Sequence, residues 1–320
     1  MKIAVWGLGT HVIKNILPAI KEVRGLDLVG CTTRDIIVSE RVAKEYNCNS
    51  WTSPSDMLKE DIDIVYLGTP PGLHFEQGLK ILNSNKHFWC EKPFTVNLKD
   101  TLKLVEIAEA KDLSVCEGFM YLYHPHYLHV KNYLTNNLLG EVRTVKIDFG
   151  LPEIKKPGYR NDLSLGGSCF YDVGSYVFSL LSDCFDLEDM ELVYSNVVKD
   201  KSTGVDQGGV AHIIIKSQIN CILEWTYNRS YKNDITIWAD KGMLYSDKIF
   251  SKDSSFSPKI ELKNINGQAY LETISSSNHF VLMLKSFLDN IEDLKNRKKE
   301  RERLKCLSFL MEEFKNTSSL

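Results

Sequence analysis

The chain has 320 residues, with 39 Lys and Arg against 42 Asp and Glu and a formal net charge of −3. That balance gives no electrostatic reason for a nucleic-acid or membrane partner. The length allows two domains or one large one around an ample core, and eight scattered cysteines without a CxxC pair suit reduced thiols in the cytoplasm.

No apolar run approaches ~20 residues. Met1 leads directly into a strand, so neither a span nor a signal peptide is expected. Lys2-Ile3-Ala4-Val5-Trp6 reads as a buried parallel strand and Gly7-Leu8-Gly9 as the tight turn after it. From Thr10, the positions Val12, Ile13, Ile16, Leu17 and Ile20 have helical spacing. Strand, glycine turn and helix form the setting of a dinucleotide fingerprint, in which the helix N-terminus faces a pyrophosphate. Gly7, Gly9, Thr10, His11 and Val12 are the candidate cofactor contacts, although Val12 occupies the usual place of the third glycine.

The second strand, Leu26 to Cys31, ends in Thr32-Thr33-Arg34. An acid there would bind the ribose 2′-hydroxyl of NAD. Hydroxyls and a guanidinium at Thr33 and Arg34 suit a 2′-phosphate instead, and Asp35 falls one residue late, in the turn. NADP(H) is the preferred cofactor on this reading, with NAD(H) the other nicotinamide the fold admits.

Ile62 to Leu67 is a further strand. The turn after it, Gly68-Thr69-Pro70-Pro71, is rigid and can lie against a flat cofactor through Thr69 and Pro70. His74 follows, either as another contact or as a cap on the next helix. The strand His87 to Cys90 then delivers Glu91-Lys92-Pro93 to the carboxyl edge of the sheet, where open α/β folds bind ligands. A lysine there can do proton chemistry, because its pKa falls readily on desolvation or beside another cation. The plainer alternative is an edge lysine paired with Glu91 before a strand-ending proline. A helix through Leu102, Val105 and Ala108 and a strand from Ser114 to Phe119 complete the alternation, which predicts an α/β, doubly wound parallel sheet.

Five features resemble, in order and spacing, the glucose–fructose oxidoreductase / inositol dehydrogenase (Gfo/Idh/MocA) family of NAD(P)-dependent oxidoreductases. They are Gly7-Leu8-Gly9, Gly68-Thr69-Pro70-Pro71, Glu91-Lys92-Pro93, Glu117-Gly118-Phe119-Met120 before His124-Pro125, and Tyr159-Arg160 with Gly166 to Tyr176. The resemblance implies a Rossmann domain over residues 1–120 and an α+β substrate domain over 121–320, whose last helix returns toward the first domain. It also implies that the second domain's open, mostly antiparallel sheet covers the cofactor and forms a homodimer or homotetramer. Further implications are a cis Lys92–Pro93 bond, Lys92 beside the nicotinamide and the substrate oxygen, Glu91 and Met120 along the cofactor, and Tyr159 and Arg160 closing over cofactor or substrate.

Asp172 and Tyr176 stand at i and i+4 on one helical face. Many family members have histidine where Tyr176 stands, and a subset including sugar ketoreductases and dihydrodiol dehydrogenases has tyrosine. A phenol with a pKa near ~10 needs a cation to act at neutral pH, and Lys92 is the expected cation. The implied chemistry is hydride exchange between a nicotinamide and a CH–OH carbon of a small sugar-like substrate. Tyr176 or Lys92 gives the proton, and Asp172 bonds a neighbouring hydroxyl. A trans-dihydrodiol dehydrogenase is the alternative within the enzyme class, and a cofactor-sensing regulator without turnover is the alternative outside it.

His124, His126 and His129 invite a metal reading, but no acid or thiol stands near them in sequence, so no metal is expected. From Leu192 the chain turns to successive strands, in which Trp225, Tyr227 and Trp238 are expected to pack on a sheet face. His279 to Ile291 has the spacing of a helix packed on the first domain, and the mixed charges from Lys295 to Arg303 read as a solvated helix face.

Overall fold

A computed structural model describes residues 1–318 of the chain. The chain folds into two units, Met1–Gly118 with Phe280–Lys305, and Phe119–His279 with the chain from Cys306 onward.

The first unit alternates strand and helix. It runs β1 (Lys2–Trp6), a π-helical turn (Val12–Ile16) into α1 (Leu17–Glu22), β2 (Asp27–Thr32), α2 (Ile36–Tyr46), β3 (Asn49–Ser50) and α3 (Pro54–Met57). It continues with β4 (Ile64–Leu67), α4 (His74–Asn83), β5 (His87–Cys90), α5 (Leu98–Ala110) and β6 (Val115–Glu117). The six strands are parallel in the order β3-β2-β1-β4-β5-β6. The order reverses between β1 and β4, which opens a crevice at their carboxyl ends. Ile3, Ala4, Val5 and all of β4 are fully buried, as strands covered on both faces must be. Helix α5 shows why the helices form where they do. Asn97 caps it by accepting the Asp100 amide at 2.9 Å, and Leu104, Val105 and Ala108 line its buried face. Each fully buried leucine of this kind contributes roughly 2 kcal/mol. The two-residue β3 carries no periodicity and was not expected from sequence.

The second unit contains α6 (Pro125–Thr135), β7 (Val142–Gly150) and a π-helical turn (Phe170–Gly174) into α7 (Ser175–Cys184). There follow β8 (Met190–Lys199), β9 (Asp206–Ile215), β10 (Ile219–Thr226), β11 (Lys232–Ala239), β12 (Gly242–Asp247), β13 (Lys259–Asn264) and β14 (Ala269–Thr273). These strands form one sheet in the order β14-β13-β12-β11-β7-β10-β9-β8, in which β7 and β10 are parallel and the other pairs antiparallel. Val145, Ile147, Cys221, Leu223, Ile235 and Ile237 alternate onto one face and are fully buried, with Val177, Phe178 and Leu181 of α7 in the same core. The polar stretch 254–266 carries β13, and β12 and β14 flank it.

The chain closes with α8 (His279–Glu292) and α9 (Leu294–Ser318). The mixed charges of α9 are a solvated face only in part: Lys295, Lys298, Lys299 and Glu302 are exposed. Arg297, Glu300 and Arg301 are buried in the first unit, where Arg297 donates to the Asp112 carbonyl at 2.6 Å and Arg301 to the Leu113 carbonyl at 3.3 Å. The guanidiniums satisfy main-chain carbonyls in the loop before β6, and charge alternation alone cannot reveal that partner.

Candidate active site

Each unit supplies its own set of residues. In the first, the β1 turn and the β4 turn meet backbone to backbone. Gly7 has φ +102°, and a Cβ there would lie 2.7 Å from the Gly68 carbonyl carbon. A Cβ on Gly9 would meet nothing within 4 Å, so the surface at the second fingerprint glycine is open. That is the approach a pyrophosphate requires. Val12 is buried against Gly68, whose own Cβ would stand 2.4 Å from Val12 Cγ2. The close helix–strand packing usually provided by a third glycine is therefore met by exchanging the small residue across the contact.

At the end of β2, Thr32 is buried and donates through Oγ1 to the Trp51 carbonyl at 2.9 Å. Thr33 is half-buried and Arg34 is exposed. Asp35 caps α2, accepting the Ile37 amide at 3.1 Å and the Val38 amide at 3.4 Å. The nearest acid is thus already engaged, which leaves Thr33 and Arg34 as the polar groups at that strand end. The residues at Gly7–Val12, Thr33 and Arg34 fit a dinucleotide with a 2′-phosphate.

The β4 turn and the lysine turn are tied together by a buried histidine. The ring nitrogens of His74 lie 2.8 Å from the Thr69 carbonyl and 2.9 Å from the Pro93 carbonyl, and the ring has no exposed surface. Burial lowers its pKa against the pull of those two carbonyls. His74 therefore neither caps α4 nor reaches the open surface; it is a strut beneath Thr69, Pro70 and Pro93. Lys92–Pro93 is cis. The Glu91 amide donates to the Leu67 carbonyl at 2.9 Å, keeping the turn in register with β4. The Glu91 carboxylate accepts from Tyr66 at 2.6 Å and stands 3.3 Å from His11 Nε2. Burial would raise its pKa, but His11, Tyr66 and Lys92 outweigh that and hold it below its ordinary value. His11 thus joins the fingerprint helix to the lysine strand, and Thr10 lies exposed beside it. Tyr66 was not singled out in the sequence, because a tyrosine inside an apolar strand carries no positional signal.

In the second unit Asp172 is buried on the π-helical turn, and its carboxylate is engaged by Arg160 and Tyr227. Arg160 donates through Nε at 2.6 Å and Nη2 at 3.5 Å, and Tyr227 donates its hydroxyl at 2.8 Å. Burial would lower the Arg160 pKa, but Asp172 overrides it and raises the value; burial and then Asp172 raise that of Tyr227. The expectation that Tyr227 merely packs on the sheet is corrected by this bond. Asp172 is oriented by Arg160 and Tyr227, whose short bonds both fall on Oδ2. Both of its partners line a cavity of about 340 Å³, with Lys155, Asn161, Gln207 and Asn228. Tyr159 lies under the guanidinium, its ring centroid 5.1 Å from Arg160 Cζ.

Tyr176, 7% exposed, lies in the first turn of α7 among Phe119, Tyr121, Phe149 and Phe250, and its hydroxyl lies 3.6 Å from Met120 Sδ. The histidines lead elsewhere. His124 accepts the His126 amide at 3.0 Å, His126 bonds Ser246 at 2.6 Å, and His129 pairs with Glu272 at 2.7 Å. No three metal-binding side chains converge among the described residues.

Comparison with known proteins follows the same division. Residues 1–119 match the model of an oxidoreductase family with an NAD-binding Rossmann fold, and residues 127–245 match the GFO/IDH/MocA C-terminal domain. A dTDP-3,4-didehydro-2,6-dideoxy-α-D-glucose 3-reductase from Saccharopolyspora spinosa is 27% identical over 82% of this chain and 79% of its own. A trans-1,2-dihydrobenzene-1,2-diol dehydrogenase from Danio rerio is 27% identical over 68% of this chain and 65% of its own. The crystal structure of a 3-ketoreductase from Actinomadura kijaniata, in complex with NADP and TDP-benzene, has the same fold. It superposes with a TM-score of 0.93 at 20% identity, over 99% of this chain and 98% of its own.

Proposed function

The chain belongs to the GFO/IDH/MocA oxidoreductase family, and we propose that it transfers a hydride between NADP(H) and the ketone or secondary alcohol of a nucleotide-linked ketosugar. The observation that carries this reading is the turn at Lys92–Pro93, braced by Glu91, His74 and the β4 register, in a chain similar over four fifths of its length to a ketosugar 3-reductase. The cofactor, when bound, supplies or accepts the hydride. Gly7 to Val12 would hold its pyrophosphate, Thr33 and Arg34 its 2′-phosphate, and Thr69, Pro70, Glu91 and Met120 its remaining length.

The Lys92 ammonium stabilises negative charge on the substrate oxygen, and the proton for that oxygen comes from the Tyr176 phenol or from Lys92. Asp172 fixes Arg160 and Tyr227, which present a guanidinium and an aromatic ring to the cavity that receives the substrate. General acid assistance of this kind is worth ~100- to 10,000-fold.

The cofactor is assigned to residues 1–120 and the substrate to 121–320, in keeping with the two matched family models. Eight free cysteines fit a reducing cytoplasm. Trp238 and Tyr194, exposed on the second sheet, fit a homodimer or homotetramer built through that sheet. A dihydrodiol substrate is the second reading, supported by the similarity to the dehydrogenase from Danio rerio.

The test is titration with NADPH and NADH by nicotinamide fluorescence, followed by turnover of dTDP-linked ketosugars and of trans-1,2-dihydrobenzene-1,2-diol by wild type and Tyr176→Phe. Tight NADPH binding, turnover by wild type and a steep fall in the variant are expected. Cofactor binding without turnover of any substrate would favour a regulator, and no binding at all would overturn the reading.

A further inference from the structure

A buried carboxylate beneath the lysine turn has no part in the reaction just described. Glu117 ends β6 and is 2% exposed. Its Oε1 accepts the Phe94 amide at 2.7 Å. Proline has no N–H, so the Phe94 amide is the first main-chain donor after Lys92, and Glu117 is what fastens it. On its other side Glu117 meets α9. Its amide donates to Glu300 Oε1 at 3.3 Å, and its carbonyl accepts from Arg303 Nη2 at 3.4 Å. Arg303 Nη1 stands 3.8 Å from Glu117 Oε2, and Arg303 grips Glu300 through Nε at 3.0 Å and Nη2 at 2.5 Å. All of these residues belong to the first unit.

Two buried carboxylates sharing one guanidinium are a costly way to satisfy one amide, because apolar side chains of the same volume avoid the desolvation of charge. What the charged arrangement adds is a second carboxylate that, once ionised, acts on Lys92 together with Glu91. The Lys92 ammonium acts electrostatically on both carboxylates. We infer that Glu117 is a positioning residue for Lys92. It pins the main chain after Pro93 through the Phe94 amide and, held by Arg303 of the C-terminal helix, keeps a negative charge beside the ammonium. The inference rests on the catalytic reading of Lys92.

The charged and titratable groups facing Glu117 are Lys92 on the turn, Cys90 at the end of β5, and Arg303 and Glu300 on α9. Burial pushes the Glu117 carboxyl up to about 7, with Arg303 and the Phe94 amide pulling it back. Its charge therefore changes within the working pH range of a neutral enzyme. As pH rises through that value the anion forms beside Lys92, and kcat/KM should rise with it.

The experiment uses the full chain as wild type, Glu117→Gln and Glu117→Leu. NADPH affinity is read by fluorescence. The values of kcat and KM are read from pH 5.5 to 9 with whichever of the dTDP-linked ketosugars or trans-1,2-dihydrobenzene-1,2-diol the wild type turns over. Glu117→Gln keeps an acceptor for Phe94 but never carries the charge, so its kcat/KM should stay across the whole range at the level wild type shows below pH 7, without the inflection near 7. Glu117→Leu leaves the amide orphaned, and displacement of the lysine should lower kcat about 10- to 100-fold, with the NADPH Kd within about twofold. An inflection retained in Glu117→Gln, or NADPH affinity lost in step with kcat, overturns the inference, and the Glu117→Gln profile decides alone if the leucine variant does not fold. A wild type that turns over neither substrate type removes the catalytic reading and this inference with it. A wild type that turns one over, with both variants unchanged, removes only the role of Glu117.

Discussion

The exchange of small residues at the fingerprint predicts a measurable coupling between Gly68 and Val12. A methyl on Gly68 would lie 2.4 Å from Val12 Cγ2 and 3.1 Å from the Gly7 carbonyl oxygen. Val12 is β-branched, 2% exposed and within a helical turn, so it has one favoured rotamer and no room to leave it. Gly68→Ala alone should cost about 1–3 kcal/mol through overpacking. Val12→Gly alone should cost about 3 kcal/mol, from a lost buried side chain and a helical glycine. In the double variant the new methyl enters the space the valine has left, and the overpacking cost disappears. The double variant should therefore be more stable than the sum of the singles by about 1–3 kcal/mol. Urea unfolding of the four proteins, compared at equal m-values, reads this directly. The double variant should also regain the NADPH affinity that Gly68→Ala loses. A sum additive within about 0.5 kcal/mol would refute the proposed exchange.

Arg34→Asp should weaken NADPH binding by about 10- to 100-fold, the worth of a charge-assisted phosphate contact, and narrow the gap to NADH; unchanged NADPH affinity in the fluorescence titration would remove Arg34 from the cofactor site. Tyr227→Phe removes a donor to Asp172 and should cost about 1 kcal/mol in urea unfolding. It should also raise the substrate KM at unaltered NADPH affinity, and an unchanged KM would separate Tyr227 from the cavity. Stability should depend on pH through Glu117. Its folded pKa of about 7 lies above its ordinary 4.5, so between those values the folded state holds a proton that the unfolded state has released. That contribution, at most about 3 kcal/mol, is present below pH 4.5 and lost as pH rises through 7; Glu117→Gln should flatten this part of the curve, and an identical slope in both proteins would contradict it.

Much of the first unit was legible because its signals are local. Buried parallel strands read as unbroken apolar runs, and the glycine turn, the Thr69–Pro70 turn and Glu91-Lys92-Pro93 each follow one. The boundaries in β1 and β5 agree with the sequence reading to the residue. The incomplete fingerprint was legible only as a defect. That Gly68, fifty-six positions later, supplies the missing space is a fact of packing and leaves no mark near Val12. The second sheet was foreseen as a run of strands, but β12 and β14 were not named, since their short polar alternation competes poorly with turn residues nearby.

The second-unit site shows where sequence reasoning stops. Asp172 and Tyr176 were singled out by the family resemblance, with their i, i+4 spacing in agreement, but spacing cannot say what a carboxylate is bonded to. Arg160 precedes Asp172 by twelve positions and Tyr227 follows it by fifty-five, and the three converge because the turn after β10 returns to the π-helical turn. These donors join Asp172 to two groups that line the cavity, a link no local pattern displays. The same logic separates Glu117 from Lys92. The lysine announces itself at a strand end, whereas its support comes from the next strand and from a helix near the C-terminus, whose charges read as surface until their partners are seen. Reacting groups sit at the ends of regular elements and can be read from pattern. The groups that hold them are chosen by three-dimensional proximity, and there the residues with the least local signal, Tyr66, Tyr227 and Arg303, carry the geometry.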